Sequence, residues 1–250
     1  MAAGEARAIH ERTGHNCVIV DRRNRPQWVD LWNGLPYILP RAVPGCVKVV
    51  SGSGARPYIV GKAPTRWRWR SYRPKPAEIR FTIDEQCIGR KHAGFVMIEP
   101  NVKAIGHDNK AWIWDRWQAL VDSMPPGTFV QCGTQNVRRL ERVRHVVTED
   151  FRSALAVLAQ SRALVTTEGG LMHGAAAVGV PAVVLWSEFI APHITGYDRH
   201  VNIRHAGNAC GSRLPCSGCR KSMQAITVDE VRGALVGVIE GRRQMEETAA

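Results

Sequence analysis

The 250-residue sequence lacks the features that mark membrane, secreted and repeat proteins. No stretch approaches the ~20 apolar residues that a membrane-spanning helix needs, and no apolar signal-peptide segment follows Met1. The seven cysteines are an odd number, which argues against a secreted disulfide framework. Internal repeats are not found either. We therefore expect a globular protein in the reducing environment of the cytoplasm.

Acidic residues are in deficit: the sequence has 22 aspartates and glutamates but 34 lysines and arginines. The net charge of +12 favours an anionic partner, such as nucleic acid, a phosphorylated glycan or anionic lipid head groups. Charge alone does not distinguish these partners. The hydrophobic fraction of 44% is ordinary, and the length suits two small domains or one large one.

One segment in the second half of the chain is the most informative. It predicts a buried strand at 163–166, a helix of small residues at 172–178 and a second buried strand at 182–186. A glycine turn that carries Glu168 and His173 joins the first strand to the helix. These polar residues lie at the carboxyl end of a strand and the amino end of a helix, where open α/β sheets bind anionic ligands.

Two interpretations of this turn are open. In the first, Gly169 and Gly170 only supply positive φ angles, and His173 is an ordinary helix residue. In the second, the absence of side chains before an alanine-rich helix lets the backbone approach a ligand closely. The sequence Gly179-Val180-Pro181 then ends the helix in the manner of a C′ glycine followed by proline.

At these residues the chain resembles the heptosyltransferases of glycosyltransferase family 9, which have the two-domain GT-B fold. Their motif Asp-Ser-Gly-x-x-His is matched, position by position, by Glu168, Gly169, Gly170 and His173. Two positions depart from the family. Glutamate is one methylene longer than aspartate, and Gly169 has no hydroxyl to offer a phosphate or a ribose.

The resemblance covers roughly the C-terminal 160 residues. It includes a first strand at 94–100, a Lys-x-Trp element that starts with Lys110 and opens the next helix, a strand at 128–133, and a cysteine-containing loop before the final helix. The implied fold is α/β and GT-B-like, with two Rossmann-like parallel-sheet domains. We expect an acceptor-side domain at 1–90, small and without its usual first strand, and a donor-binding domain at 91–250.

The resemblance implies a glycosyltransferase that moves a heptose or hexose from an ADP- or UDP-type nucleotide sugar to an anionic saccharide or lipid-linked glycan. Inversion by direct displacement is implied, with no metal and no cofactor besides the nucleotide sugar, and no Asp-x-Asp motif is present. We assign the diphosphate to Lys110 and the helix start, a donor hydroxyl to Glu168, and donor phosphate or sugar to His173. An ordinary surface lysine is an equal interpretation of Lys110. The predicted donor-binding residues are Lys110, Gly133, Glu168, Gly169, Gly170 and His173.

The catalytic base is not identified by the sequence. The family carries an acidic residue in a glycine loop before its first helix, whereas this chain begins at what looks like that helix. Either translation starts inside a longer reading frame, or another base is used. Glu5 is the nearest carboxylate, although a surface acid in the first turns of a helix is the simpler interpretation.

The densest basic stretch alternates arginine with aromatic residues, and we name it the Arg/Trp segment. In an extended conformation Trp67 and Trp69 share one face. A solvated linker with packed tryptophans and an acceptor-binding surface are both compatible with this pattern. The acceptor-binding candidates are Arg66, Trp67, Arg68, Trp69 and Arg70. A second cluster, predicted to lie on the solvated face of a helix, comprises Arg138, Arg139, Arg142 and Arg144.

A metal site is one interpretation of His205, Cys210, Cys216 and Cys219, because Cys-x-x-Cys is half of a common zinc site. The spacing of the other two residues is loose, so we expect free thiols and no metal.

Two further hypotheses compete with the glycan-modifying enzyme. A same-fold glycosyltransferase acting on modified DNA would suit the positive charge. A non-catalytic nucleotide- or sugar-binding module would suit the unidentified base and the altered motif.

Overall fold

The structure is a computed structural model that describes residues 1–51, 56–102 and 108–249, without the side chains of 243 and 245–249. Its first part contains a small parallel sheet of order β2-β1-β3, flanked by helix α1, and an antiparallel hairpin, β4-β5. The elements are α1 (Ala2–Thr13), β1 (Cys17–Val20), β2 (Ile38–Leu39), β3 (Val47–Val50), β4 (Ile59–Lys62), β5 (Trp67–Trp69) and α2 (Ile83–Arg90).

The rest of the chain builds a six-stranded parallel sheet of order β11-β10-β9-β6-β7-β8. Its strands are β6 (Val96–Glu99), β7 (Phe129–Gly133), β8 (Arg144–Val147), β9 (Ala163–Thr167), β10 (Ala182–Trp186) and β11 (Val201–Arg204). Its helices are α3 (Trp114–Asp122), α4 (Phe151–Ala159), α5 (Gly170–Ala177), α6 (Pro192–Thr195), α7 (Ser217–Ala225) and α8 (Val228–Ala249). Two parallel sheets with helices confirm the predicted α/β, GT-B-like architecture, whereas the division at residue 90 stays a prediction.

Alternate residues of the strands face two separate cores. Met97 and Leu164 point toward α4 and α5, where they pack with Leu155. The neighbouring Ile98 and Val165 point to the opposite face and pack in the core that includes residues of α3 and α8. Both faces of the central strands are therefore covered, as is usual for parallel sheets, and the polar side chains are left for the sheet edges and strand ends.

The order of the strands reverses beside β6. The chain goes from β6 to β7 on one side and returns through β8 to β9 on the other side. The loops that leave β6 and β9 diverge at this point, which opens a crevice at the carboxyl ends of the two strands. Ligands of open α/β sheets bind at such a switch point.

The two parts of the chain are joined by the guanidinium of Arg152, on α4. Its Nε and Nη2 lie 2.5 and 2.7 Å from the two carboxylate oxygens of Glu85, on α2. The same group donates to the carbonyl oxygens of Asp30 and Arg80 at 2.7 and 2.8 Å. Helix α2 lies close to α4, since a Cβ at Gly89 would be 2.3 Å from the Ala156 carbonyl oxygen.

Two local predictions are wrong. The arginines at 138–144 do not share a helix, because Arg142 adopts a left-handed φ of 59° and the strand β8 begins at Arg144. The Gln131 side chain holds this loop, accepting from the Leu140 N–H and donating to the Arg138 carbonyl. Lys110 does not open a helix either; it ends a 3₁₀ turn, and α3 starts four residues later.

No helix in the described part of the chain is both long enough and apolar enough to cross a membrane.

Candidate functional site

Glu168 and Lys110 form an ion pair at the switch point. Glu168 directly follows β9, and its N–H donates to the Leu185 carbonyl on β10, which fixes the turn. The carboxylate side chain is 12% exposed and the lysine side chain 30% exposed. Lys110 Nζ also lies 4.7 Å from the centroid of the Phe189 ring. The structure thus brings together two residues that the sequence separates by 58 positions.

The glycines before α5 are not required by backbone geometry. Gly169 has a φ of 173°, which is extended, and Gly170 is not among the residues with positive φ. A Cβ at Gly169 would meet only the Thr167 carbonyl oxygen, at 3.8 Å, and one at Gly170 would be 3.6 Å from Phe151. The interpretation in which these glycines supply positive φ is therefore wrong, and both positions are open to a close approach. Gly179, in contrast, does end the helix with a φ of 78°.

His173 lies on the first turns of α5, with its Nδ1 3.0 Å from the Tyr197 hydroxyl. Burial lowers the pKa of His173 to about 3, and the positive charges of Arg56 and Lys110 act in the same direction. The imidazole is therefore neutral at physiological pH. Arg56 comes from the first part of the chain, so both parts contribute positive charge to this site.

A cavity of about 700 Å³ lies beside the ion pair, at the carboxyl end of β6. Its walls include Trp112, Trp114 and Arg138, and the Arg138 guanidinium carbon is 3.8 Å from the centroid of the Trp114 ring. Neither Lys110 nor Glu168 lines this cavity, although Asn109 and Ala111, on either side of Lys110, do. Arg138 is exposed, as the sequence predicts, but its stacking on Trp114 was not predicted because the two residues are 24 positions apart.

Glu99 is a second acidic residue at the switch point that sequence reasoning missed. It ends β6, and its carboxylate accepts from the Asn101 N–H at 2.7 Å. Burial raises the pKa of Glu99 to about 7, although the Asn101 hydrogen bond opposes this shift. The available signal was its position as the last polar residue of the strand predicted at 94–100.

Gly133 lies on the same sheet edge but not at the ion pair. It ends β7, which is separated from β9 by β6. Two strand spacings amount to about 10 Å. A Cβ at Gly133 would be 2.7 Å from Val137 Cγ2, so close packing explains the glycine at this position.

The Arg/Trp segment forms the hairpin strand β5 and the residues beside it. Trp67 and Trp69 share one face as predicted, and the Trp69 indole N–H donates to the Phe189 carbonyl at 2.9 Å. The Phe189 ring, which contacts Lys110, lies 5.3 Å from the Trp69 ring. The indoles are half-buried, whereas the arginines at 66, 68 and 70 are exposed. Phe189 thus connects the predicted donor and acceptor surfaces.

Three solved structures share this architecture. E. coli ADP-heptose LPS heptosyltransferase II superposes with a TM-score of 0.51 at 18% identity, over 72% of this chain and 56% of that one. A family 9 glycosyltransferase from Veillonella parvula gives 0.51 at 14% identity, over 67% and 55%. The dodecameric iron-containing heptosyltransferase TibC of enterotoxigenic E. coli, in complex with ADP-D-beta-D-heptose, gives 0.50 at 13% identity, over 68% and 49%.

The chain has the heptosyltransferase fold. The predicted resemblance to this family is thereby confirmed at the level of the fold, which is what identities this low establish. The chain spans about half the length of these structures. No protein-family model matches the sequence, and no curated protein matches it either.

Within this fold, Glu5 has structural contacts. It lies inside α1, accepts a hydrogen bond from the Tyr72 hydroxyl at 2.7 Å and has Lys75 Nζ at 3.9 Å. These contacts agree with the simpler interpretation of Glu5 as a helix acid.

The four residues weighed as a metal site separate into two groups. His205 Nε2 is 2.8 Å from a carboxylate oxygen of Glu230, away from the cysteines. The sulfur atoms of Cys210, Cys216 and Cys219 lie within 4.8 Å of one another.

Proposed function

We propose that this chain contains the donor site of a glycosyltransferase that uses a nucleotide diphosphate sugar. The observation that carries this proposal is the Lys110–Glu168 pair, which lies at the switch point of a parallel sheet, directly before the glycine-opened helix α5. A cation beside a helix amino terminus is an arrangement that favours phosphate.

We assign the donor diphosphate to Lys110 and to the backbone N–H groups at Gly169 and Gly170. When a diphosphate approaches, Lys110 can exchange its carboxylate partner for a phosphate oxygen. Glu168 is then free to accept a hydrogen bond from a ribose or sugar hydroxyl. During transfer, an acceptor hydroxyl forms the new bond to the anomeric carbon and releases its proton to solvent, while the bond from that carbon to the phosphate oxygen breaks and negative charge grows on the diphosphate. Lys110, Arg56 and the helix dipole stabilise that charge.

His173 acts in this proposal as a neutral hydrogen-bonding group. Its low pKa excludes an imidazolium at physiological pH, so it contributes no positive charge to the diphosphate. The Tyr197 hydroxyl holds the Nδ1 side of the ring. The other ring nitrogen is assigned to donor phosphate or sugar.

The nucleoside belongs, in this proposal, in the cavity beside β6. Its volume of about 700 Å³ is in the usual range for small-molecule sites. The Arg138 guanidinium, stacked on the half-buried Trp114 ring, offers hydrogen-bond donors to a base or ribose. One of the structurally similar proteins was solved with ADP-D-beta-D-heptose, which supports an ADP-type donor. UDP-type donors remain the alternative to be compared.

The acceptor is proposed to bind at the Arg/Trp segment. Its exposed arginines can pair with acidic or phosphorylated groups, and Phe189 brings this surface next to Lys110. The net charge of +12 agrees with an anionic acceptor, either a saccharide, a lipid-linked glycan or modified DNA. Transfer by direct displacement with inversion, without a metal at the donor site, is part of the same proposal.

The experiment is a panel of ADP- and UDP-sugars incubated with the protein, with and without acidic glycans, lipid-linked saccharides and duplex DNA. Release of nucleotide diphosphate, and sugar incorporation into the acceptor, are measured for the wild type and for Glu168→Ala. We expect turnover with one nucleotide class, which the variant loses while it stays folded. Nucleotide binding without turnover under any condition would contradict the enzymatic proposal and favour a binding module.

A further inference from the structure

Three cysteine thiols meet beside the candidate site. Cys210 Sγ is 3.5 Å from Cys219 Sγ and 3.9 Å from Cys216 Sγ, and all three sulfur atoms lie within 4.8 Å of one another. In a tetrahedral site with metal–sulfur distances of about 2.3 Å, neighbouring sulfurs are roughly 3.8 Å apart. The two separations from Cys210 match this spacing, and the third pair of sulfurs is close enough to reach it by small side-chain movements.

The backbone around the cysteines stabilises thiolates. Cys216 is the N-cap of α7, and Cys219 lies in the first turn of that helix, where free N–H groups and the helix dipole favour negative charge. The Ser212 N–H points at Cys210 Sγ at 3.4 Å. Cys210 is itself fixed, since its N–H donates to the Glu188 carbonyl at 2.7 Å.

A half-buried arginine lies beside the cysteines and beside Glu188. The charge of Arg204 acts on both Cys210 and Cys219. Its Nη1 donates to the carbonyls of Ala206 and Gly207. Its Nε and Nη2 are buried and have no hydrogen-bond partner among the described residues. The Glu188 carboxylate also acts on this guanidinium and lies against Gly218, so Arg204 offsets only part of the negative charge that three thiolates around a divalent cation would add.

We propose that Cys210, Cys216 and Cys219 bind one thiophilic divalent transition-metal ion, of the Zn²⁺ or Fe²⁺ class, with a solvent molecule as the fourth ligand. Soft thiolate ligands select these metals. Each thiol gives up its proton to solvent when the metal binds. In the described part of the chain, no further histidine, cysteine or carboxylate shares this cluster, and His205 is not a ligand.

The role of the metal is to fix the loop 210–216. This loop holds the 3₁₀ turn that carries Lys110: the Cys216 N–H donates to Asn109 Oδ1 at 3.0 Å, and Asn109 Nδ2 donates to the Ser212 and Leu214 carbonyls. The Trp67 N–H also donates to the Gly211 carbonyl at 2.9 Å. The proposal rests on the thiol geometry, and it stands whether or not the chain transfers sugars.

The test measures metal directly in untagged, reduced protein that carries the single changes Cys210→Ser, Cys216→Ser or Cys219→Ser. The matched controls are Cys87→Ser, which changes an exposed cysteine, and His205→Ala. We expect one zinc or iron per chain in the wild type and in both controls. Each cluster variant should bind at least roughly tenfold more weakly in a cobalt titration, with a weaker thiolate-to-cobalt charge-transfer absorption than the wild type.

A second readout does not depend on folding of the variants. In the intact wild-type chain, metal should protect the half-buried Cys210 and Cys216 from alkylation, while the exposed Cys87 stays reactive with and without metal. The elemental analysis distinguishes zinc from iron. The proposal is overturned if reduced wild-type protein takes up no stoichiometric metal, if cobalt gives no thiolate absorption, or if metal does not change which cysteines react.

Discussion

The ion pair at the switch point and the Arg/Trp segment use positive charge in opposite ways. Lys110 is largely buried, is paired with Glu168 and lies against the Phe189 ring. The arginines of the segment are exposed, and the indoles between them provide the packing. A desolvated charge needs a defined partner, whereas an exposed one is screened by solvent and interacts weakly with any single group.

This difference in burial indicates that the two surfaces can recognise different groups of a ligand. The buried pair selects a group that can replace a carboxylate at Lys110, which a phosphate does. The exposed arginines attract many kinds of anion and place fewer demands on its shape. In the proposed function, specificity therefore belongs to the switch point, and attraction of the acceptor belongs to the Arg/Trp segment.

Arg152→Ala should have the largest effect on stability. Arg152 joins the part of the chain that carries the Arg/Trp segment to the part that carries the ion pair. Its guanidinium joins Glu85 and two carbonyls of the first part of the chain to α4. Removing it leaves the largely buried Glu85 carboxylate without a counter-charge and with only the Thr82 N–H as partner, at a cost of about 3–5 kcal/mol in the free energy of unfolding. Denaturant unfolding measures this loss.

The matched control is Arg142→Ala. Arg142 pairs with Asp122 at 3.0 Å, but both side chains are about half exposed. A pair of this kind contributes less than about 1 kcal/mol. Equal losses in the two variants would mean that Arg152 does not join the two parts of the chain.

Glu99→Gln should have the second-largest effect on stability. This variant tests whether the switch point holds a desolvated carboxylic acid. The pKa of Glu99 in the folded state, about 7, is above its ordinary value of 4.5. Between these pH values the folded state retains a proton that the unfolded state has lost. Stability contributed by this group is complete below about pH 4.5 and falls as the pH rises through 7, by about 3 kcal/mol.

Unfolding free energies of the wild type and Glu99→Gln, measured from pH 4.5 to 8, check this prediction. The difference between the two proteins should change in favour of the variant as the pH rises. His173 and His200 have lowered pKa values, which give the opposite slope, but they are common to both proteins. A difference that does not vary with pH would show that the carboxyl is solvated.

Arg68→Ala should have the smallest effect on stability, below about 0.5 kcal/mol, because the side chain is exposed. We expect nucleotide affinity to stay within about twofold of the wild type. Binding of an anionic polymer such as heparin or duplex DNA should weaken, with a shallower dependence on salt concentration. Salt titrations of both proteins measure the change. An unchanged slope would remove Arg68 from the acceptor surface.

The segments that were predicted best are those whose local pattern and final packing agree. The strand predicted at 182–186 is β10, and Gly179 ends α5 with the left-handed conformation expected of a C′ glycine. The helix predicted for the second arginine cluster, at 138–144, is wrong because tertiary contacts override the local pattern. The Gln131 side chain bonds two backbone groups of this loop, and Arg142 has a left-handed backbone conformation.

The candidate site was predicted residue by residue but not as an arrangement. Lys110 and Glu168 could be named, whereas their pairing depends on the strand order, which the sequence does not specify. Glu99 was missed and the stacking of the exposed Arg138 on Trp114 was not predicted, because both arise from residues distant in sequence. The cysteines were recognised, but only the turn into α7 brings Cys210 to the other two.

The most direct test of the central claim is calorimetric titration of ADP and UDP into the wild type, Lys110→Ala and Lys62→Ala. Lys62 is a matched control, since it is also a lysine near an aromatic ring, 4.9 Å from the Trp67 centroid, but lies on the hairpin. Loss of a charged hydrogen bond to phosphate costs about 1.5–3 kcal/mol. The account predicts a roughly 10- to 100-fold weaker affinity for Lys110→Ala and near wild-type affinity for Lys62→Ala. Unchanged affinity in Lys110→Ala would contradict it.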